Sequence, residues 1–204
     1  MATLAALKTR IADELHRSDL TSAVSNAISD AVQLYQSKRF RFNEAQGTFS
    51  TTAGTEYYGS AVIPADIAEI DTLTLTVSGR KVVLTPRAFD VMEVISSTTN
   101  SRGQPSEWCW YSDQVRLYPV PDAVYSLSVS YLKRLPVPAT DAASNAWTVD
   151  GFNLIRHTAK RMVSADLVQD FEMAQAAGAS EQQELRRLLR EGRILTQGGL
   201  RANW

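Results

Sequence analysis

Apolar positions near the start of the chain recur at helical spacing. Leu4, Leu7, Ile11 and Leu15 stand three, four and four residues apart, which makes one stripe along a helix. A break comes at "HRSD", where Ser18 or Asp19 offers a cap for a second helix. Leu20, Val24, Ile28, Ala31 and Tyr35 form the stripe of that helix, which ends in the basic, aromatic string "SKRFRF". The two stripes are buried most economically against each other and against a sheet.

From Gly47 the period falls to two. "GTFSTTAGTEYYGSAVIP" is rich in Thr, Tyr and Gly, and Ala53-Gly54 marks a turn between two short strands. In "EIDTLTLTV" the apolar members are Ile70, Leu73, Leu75 and Val77. "SGR" then turns the chain and "KVVLT" returns it, which predicts a hairpin. Thr85-Pro86 supplies a cap and a first-turn proline for a short helix, "RAFDVMEVI", with Phe89, Val91, Met92 and Ile95 inward. A polar loop leads to "SEWCWYSDQVRLYPVPD", Ser106–Asp122. Alternation resumes in "AVYSLSVSYLKRL", at Val124, Leu127, Val129, Tyr131 and Leu135.

Helical spacing returns after "PVPATDAASNA". Asp150 stands where it can cap a long helix striped by Phe152, Ile155, Ala159, Met162 and Val163. Ala177-Gly178-Ala179 either interrupts or merely loosens the last helical segment. "SEQQELRRLLREGRIL" carries a narrow seam of Leu185, Leu188 and Leu189, with Gln183–Arg187 and Arg187–Glu191 as four-residue pairs. Gly192 and Gly198-Gly199 end regular structure. Helices first, a β-rich middle with one short helix, and helices last read as α+β, not as an alternating parallel-sheet fold. The expected layout is one domain over 1–193, with helices at about 3–16, 19–38, 86–97, 150–169 and 172–192, a β region at about 47–135, and an extended C-terminal tail over 194–204.

Composition narrows the function classes modestly. With 204 residues, 44% hydrophobic and 21% charged, the chain is of ordinary globular make-up, and a net charge of −1 exerts no general pull toward nucleic acid or an anionic membrane. One cysteine excludes an internal disulfide. The first residues break their apolar positions with Lys8, Arg10, Asp13 and Glu14, unlike a signal peptide, and no apolar run approaches the roughly 20 residues that span a bilayer. A soluble protein made in a reducing compartment is expected.

Candidate chemistry is sparse. Cys109 sits between Trp108 and Trp110 with Tyr111 beside it, and in a strand Trp108 and Trp110 face one way while Cys109 and Tyr111 face the other. A thiolate nucleophile needs a base and a lowered pKa, and neither His16 nor His157 is near in sequence. His157 has no His or Glu four residues away, and no nucleophile elbow or phosphate-cradling glycine motif is present. No catalytic, metal or cofactor residue is therefore assigned. A hydrolase centred on His157 with Asp150 and Asp166 is one rival reading. A small DNA-binding module is another, with Lys38, Arg39 and Arg41 interleaved with Phe40 and Phe42, and Arg186, Arg187, Arg190, Arg193 and Arg201 near the end. "ILTQGGLRANW" carries Ile194, Leu195, Leu200 and Trp204 on a glycine-jointed segment, a composition suited to a groove on a neighbour.

Taken together, the leading helix pair, "VIPADIAEIDTLTL", the run "WCWYSDQVRLYPVPDAVYSLSVSYLKRLPVP" and the closing "GASEQQELRRLLREGRI" resemble the head-to-tail adaptor (connector) proteins of tailed bacteriophages, the short-tailed type in particular. The resemblance implies a non-enzymatic virion protein without cofactors, synthesised in the host cytoplasm. It implies a homo-oligomeric ring, twelvefold in the family, between the portal protein and the tail nozzle, lining the channel through which genomic DNA passes and touching no membrane. It further implies that the last helix and tail dock on the portal, which on this chain selects Arg186, Arg190, Arg193, Ile194, Leu195, Leu200 and Trp204. Trp108, Trp110 and Tyr111 become candidates for contact between subunits or with the tail. A near-neutral wall would let DNA slide where a basic one would grip it.

Overall fold

A computed structural model of the chain describes residues 2–98 and 101–197. In chain order its elements are α1 (Leu4–Leu15), α2 (Thr21–Tyr35), β1 (Glu44–Ser50), β2 (Tyr57–Tyr58), β3 (Ile67–Val77), β4 (Arg80–Val83) and β5 (Thr85–Pro86). Next come α3 (Phe89–Thr98), β6 (Arg102–Gly103), β7 (Glu107–Tyr111), β8 (Gln114–Tyr118), β9 (Val120–Pro121) and β10 (Ser126–Lys133). The chain closes with α4 (Ala146–Val149), α5 (Phe152–Val163), a π-helical turn over Ser164–Val168 and α6 (Phe171–Gln197). The α+β class read from the sequence is the class observed. The single domain expected over 1–193 divides into two compact units: a helical unit, built from the chain up to Asn43 and from Arg134 onward, and a β unit, Glu44–Lys133.

In the helical unit the stripes behave as their spacing dictates. Leu4, Leu7, Ile11 and Leu15 of α1 and Val24, Ala27, Ile28, Ala31, Val32 and Tyr35 of α2 are buried. They meet Leu154, Ile155, Ala159 and Val163 of α5 and Leu188 of α6 in one core. Three helix ends differ from expectation. Neither Ser18 nor Asp19 caps α2, whose N-cap position falls to Leu20 with no side-chain bond, because Arg17 engages both carboxylate oxygens of Asp19 at 2.7 Å. Asp150 does not cap the long helix either: it ends α4, which Asn145 opens through a capping box with Thr148, and Gly151 precedes α5. Gly178 does not interrupt α6, and Gly192 does not end it. The helix continues to Gln197, so residues 194–197 carry helical backbone where an extended tail was expected. Good helix formers on both sides, alanines around Gly178 and Arg190, Glu191 and Arg193 around Gly192, outweigh the roughly 1 kcal/mol that each glycine costs a helix.

The β unit holds two four-stranded sheets, in order β1-β10-β3-β4 and β2-β8-β7-β5, with β6 and β9 as a small parallel pair. Phe49, Leu73, Leu75, Leu127, Val129 and Tyr131 of the first sheet share a core with Tyr58, Trp108, Val115 and Leu117 of the second. The β3–β4 hairpin turns at Ser78 (φ 48°) and Gly79 (φ 77°), two successive left-handed residues as a two-residue hairpin requires. Thr85-Pro86 forms β5, not a helix start. It pairs in parallel with Glu107-Trp108 at the end of the sheet, where a proline's missing N–H is tolerated, and α3 begins only at Phe89. On α3, Met92 is buried while Val91 is exposed. Strict alternation leaves the outer face of the first sheet in three rows: Gln46–Ser130–Thr72, Thr48–Ser128–Thr74 and Ser50–Ser126–Thr76. Across β1, β10 and β3 every side chain in those rows is an uncharged hydroxyl or amide, and on β4 the second row ends in Val83 and the third in Lys81.

Candidate functional site

On α6 the residues before position 193 can be placed. Arg186 and Arg190 lie one helical turn apart, both exposed, and neither has an ion pair among the described residues. Arg187, between them in sequence, is spent on its own helix, donating to Glu184 at 2.7 Å and to Glu191 at 2.6 Å. The side chains of Arg193, Ile194 and Leu195, and the whole of Leu200 and Trp204, lie outside the described residues.

The helix is fixed to its unit by a buried ion that the sequence did not reveal. Glu181, 3% exposed, accepts from the Tyr35 hydroxyl at 2.5 Å and from Arg161 Nε at 2.5 Å, so α2, α5 and α6 meet at one carboxylate. Burial, reinforced by the bond to Glu181, pushes the Tyr35 phenol up to about 12. A second carboxylate, Glu14, ties α1 to α5 by accepting from Arg156 at 3.0 Å and Lys160 at 3.4 Å. Both acids stand among charges on amphipathic helices, where a surface position is the ordinary reading.

The aromatic hairpin β7–β8 has two unlike faces. Trp108 is buried and donates its Nε1–H to the Leu84 carbonyl at 3.3 Å, so it is committed to the chain's own core, and Trp110 packs half-buried against the same core. On the other face Tyr111, 57% exposed, stacks on Phe89 with ring centroids 4.0 Å apart. Cys109 is paired across the strands with Arg116 and is buried, and burial pushes its thiol pKa up, the reverse of what a nucleophile needs. Arg116 is the residue sequence reasoning missed. Its side chain, 5% exposed, donates to Glu56, Glu93 and the Ser96 hydroxyl, and its guanidinium lies 5.2 Å from the Tyr57 ring. The alternation of "DQVRLY" places Arg116 opposite Val115 and Leu117, but nothing local indicates that α3 would cover that face.

The rival chemistries find little support in the geometry. Burial, with the Arg156 charge next, holds the His157 pKa below its ordinary value, and Arg156 donates to His157 Nε2 at 2.9 Å, which makes that nitrogen the acceptor of a neutral ring. No hydrogen bond joins His157 to Asp150 or Asp166 among the described residues. Likewise no group of three His, Cys, Asp or Glu side chains gathers there to hold a metal ion. In "SKRFRF", Phe40 is fully buried, Phe42 stacks on it at 5.1 Å, and both meet the Trp147 ring edge-on. The rings that a nucleic acid would stack on are used inside the helical core. No helix among the described residues is long and apolar enough to cross a membrane.

What the arrangement offers is surface: an arginine-bearing helix, an aromatic hairpin edge and a hydroxyl-covered sheet. A family model for the SU10 adaptor protein matches residues 2–202, and the chain belongs to that family, one of bacteriophage head–tail adaptors. No curated protein matches the chain. The resemblance noted in the sequence is thereby borne out at the level of the family.

Proposed function

We propose that the chain, as a virion adaptor of a short-tailed phage, assembles into a ring beneath the portal protein, joins it to the tail nozzle and lines the channel for DNA. The observation that carries this reading is the family match across residues 2–202. Docking on the portal runs through the end of α6 and the residues after it, where Arg193, Ile194, Leu195, Leu200 and Trp204 combine cationic and large apolar side chains. Tyr111 and the half-buried Trp110 are the aromatic candidates for a subunit or tail contact. Trp108 serves behind them as support. The uncharged rows of Ser, Thr and Gln on β1, β10 and β3 suit a wall past which phosphates move, and Lys81 at the β4 end of one row adds a salt-dependent hold at the sheet edge. A copy number of twelve enters from the family pattern alone.

The test is co-sedimentation and negative-stain imaging of the chain with the portal ring from the same genome, beside a truncation ending at Arg193. A ring added by the full chain and not by the truncation supports both the adaptor role and the end of α6 as its dock. Binding by both moves the dock elsewhere. Binding by neither removes the portal from the reading.

A further inference from the structure

The helical unit carries two surface features that complement each other and that one copy does not bring together. The first is a groove of about 430 Å³ lined by Ala23, Ala27 and Asp30 on α2 and by Met162, Asp166 and Leu167 where α5 passes into the π-helical turn. Apart from Asn26, Asp30 and Asp166 its lining is apolar. Leu167 is 57% exposed, and Phe171, at the start of α6, is 73% exposed. Neither Asp30 nor Asp166 has an ion pair among the described residues. A large apolar side chain such as Leu167 left in water beside such carboxylates suits an arginine: its planar head pairs with carboxylate and its stem covers apolar surface.

The second feature is the pair Arg186 and Arg190, exposed and one turn, about 6 Å, apart on α6. They come 15 and 19 residues after Phe171 on one continuous helix, which places them roughly 22–28 Å along the axis from its start. An arginine side chain does not cover that distance, so the groove and the arginines of one copy cannot satisfy each other. The charges are opposite in sign and equal in number.

We infer that the groove is filled by a second copy of this chain, with Arg186 and Arg190 of one copy laid across Asp30 and Asp166 of the next. The guanidinium groups pair with the two carboxylates, and an arginine stem covers Leu167. Because the two patches differ, the contact is head-to-tail, the kind that closes into a ring when the rotation permits. This rests on the ring reading and gives it a specific joint. It also separates two roles on α6: positions 186 and 190 face the neighbouring copy, and the residues from 193 onward face the portal.

The test exploits the head-to-tail geometry. One variant carries Asp30→Arg with Asp166→Arg, and the other Arg186→Glu with Arg190→Glu. All four positions are exposed, and circular dichroism with a thermal melt checks that each variant folds. Assembly is measured as ring formation on portal particles from the same genome and by native mass spectrometry of the concentrated chain. In either variant alone, like charges meet at every joint, and ring formation is expected to fall at least about tenfold. In an equimolar mixture the two variants can alternate around the ring so that opposite charges meet at every joint. Ring formation is then expected to return to near the wild-type level.

Failure of both variants alone with recovery in the mixture supports the joint. Rings from either variant alone at the wild-type level overturn it while leaving the ring reading intact, and a loss confined to the groove variant assigns the groove to another partner. Folded variants that fail alone and still fail when mixed show that the two patches do not meet. No wild-type ring in either setting removes the ring reading and the joint with it.

Discussion

Among the described residues the helical unit and the β unit each bury one charged side chain, and they hold it in different ways. Glu181 receives a phenol from α2 and a guanidinium from α5, and Tyr35 is itself buried, so the carboxylate is sealed among three helices. Arg116 reaches outward from β8 to Glu56 and Glu93, whose side chains are 25% and 52% exposed. Its contacts fasten α3 and the segment before β2 onto the sheet, with water on one side. The first arrangement ties elements of a core together. The second clamps a covering layer onto a sheet. A lost partner leaves a charge stranded in the first case and one that can turn to solvent in the second.

The comparison breaks most sharply at the two buried tryptophans. Trp147 donates to the Leu135 carbonyl at 2.8 Å and Trp108 to the Leu84 carbonyl at 3.3 Å, each inside its own unit's core. Replacing either by alanine is expected to cost about 4 kcal/mol in denaturant titration, with hydrogen-exchange protection lost chiefly in that unit. A cost below about 1 kcal/mol for one of them shows that its unit is not organised around that indole.

Next come the ions. Glu181→Leu leaves Arg161 and Tyr35 without their acceptor and is expected to cost about 3 kcal/mol, whereas Arg116→Met is expected to cost about 2 kcal/mol because its carboxylates reach water. Urea midpoints compare them, and the opposite order would erase the distinction between sealed tie and clamp.

Alkaline titration places the same contrast on a pH axis. Burial first, and then a carboxylate acceptor, pushes both Tyr35 and Tyr131 up to about 12; the acceptors are Glu181 and Asp66. A folded pKa above the unfolded value of about 10 means that the stabilisation is fully present below about pH 10. It is lost as pH rises from about 10 through about 12. Tyr35→Phe and Tyr131→Phe should each flatten the fall in urea midpoint over that window, and an unchanged slope excludes that phenol as its source. Smallest are the punctuation residues, Asn145→Ala in the helical unit and Gly79→Ala at φ 77° in the hairpin turn, each expected to lower stability by about 1 kcal/mol in thermal melts.

Much of this fold was legible because its signals are local. The stripes of α1, α2, α5 and α6 and the alternation of β3 and β10 depend on residues within one or two turns or pleats, and the Ser78-Gly79 turn states its own geometry. The errors fall where a distant partner decides. Thr85-Pro86 looks like a helix start until β7 is there to pair with it, Asp19 looks like a cap until Arg17 takes its carboxylate, and Gly192 looks like a terminus until the rest of α6 outweighs it. Arg116 and Glu181 were illegible for the same reason, since both read as surface charges on amphipathic elements. The SKRFRF string reads as the end of a helix, but nothing in the string names Trp147 as the ring that its phenylalanines meet. Of the residues proposed to face the portal, the sequence supplied types without geometry.

The β unit is written into the middle of the helical unit's sequence, and this sets the order in which the protein is made. The β unit is complete when Lys133 leaves the ribosome, with every strand partner already in hand. The stripes of α1 and α2 are synthesised first yet must wait for α5, which begins at Phe152, roughly 115 residues after α2 ends at Tyr35. At bacterial translation rates on the order of 5–20 residues per second, that is a wait of roughly 6 to 23 seconds with two apolar faces exposed. The helical unit, whose surfaces carry the proposed portal and neighbouring-copy contacts, is therefore the last part of each newborn chain to become competent.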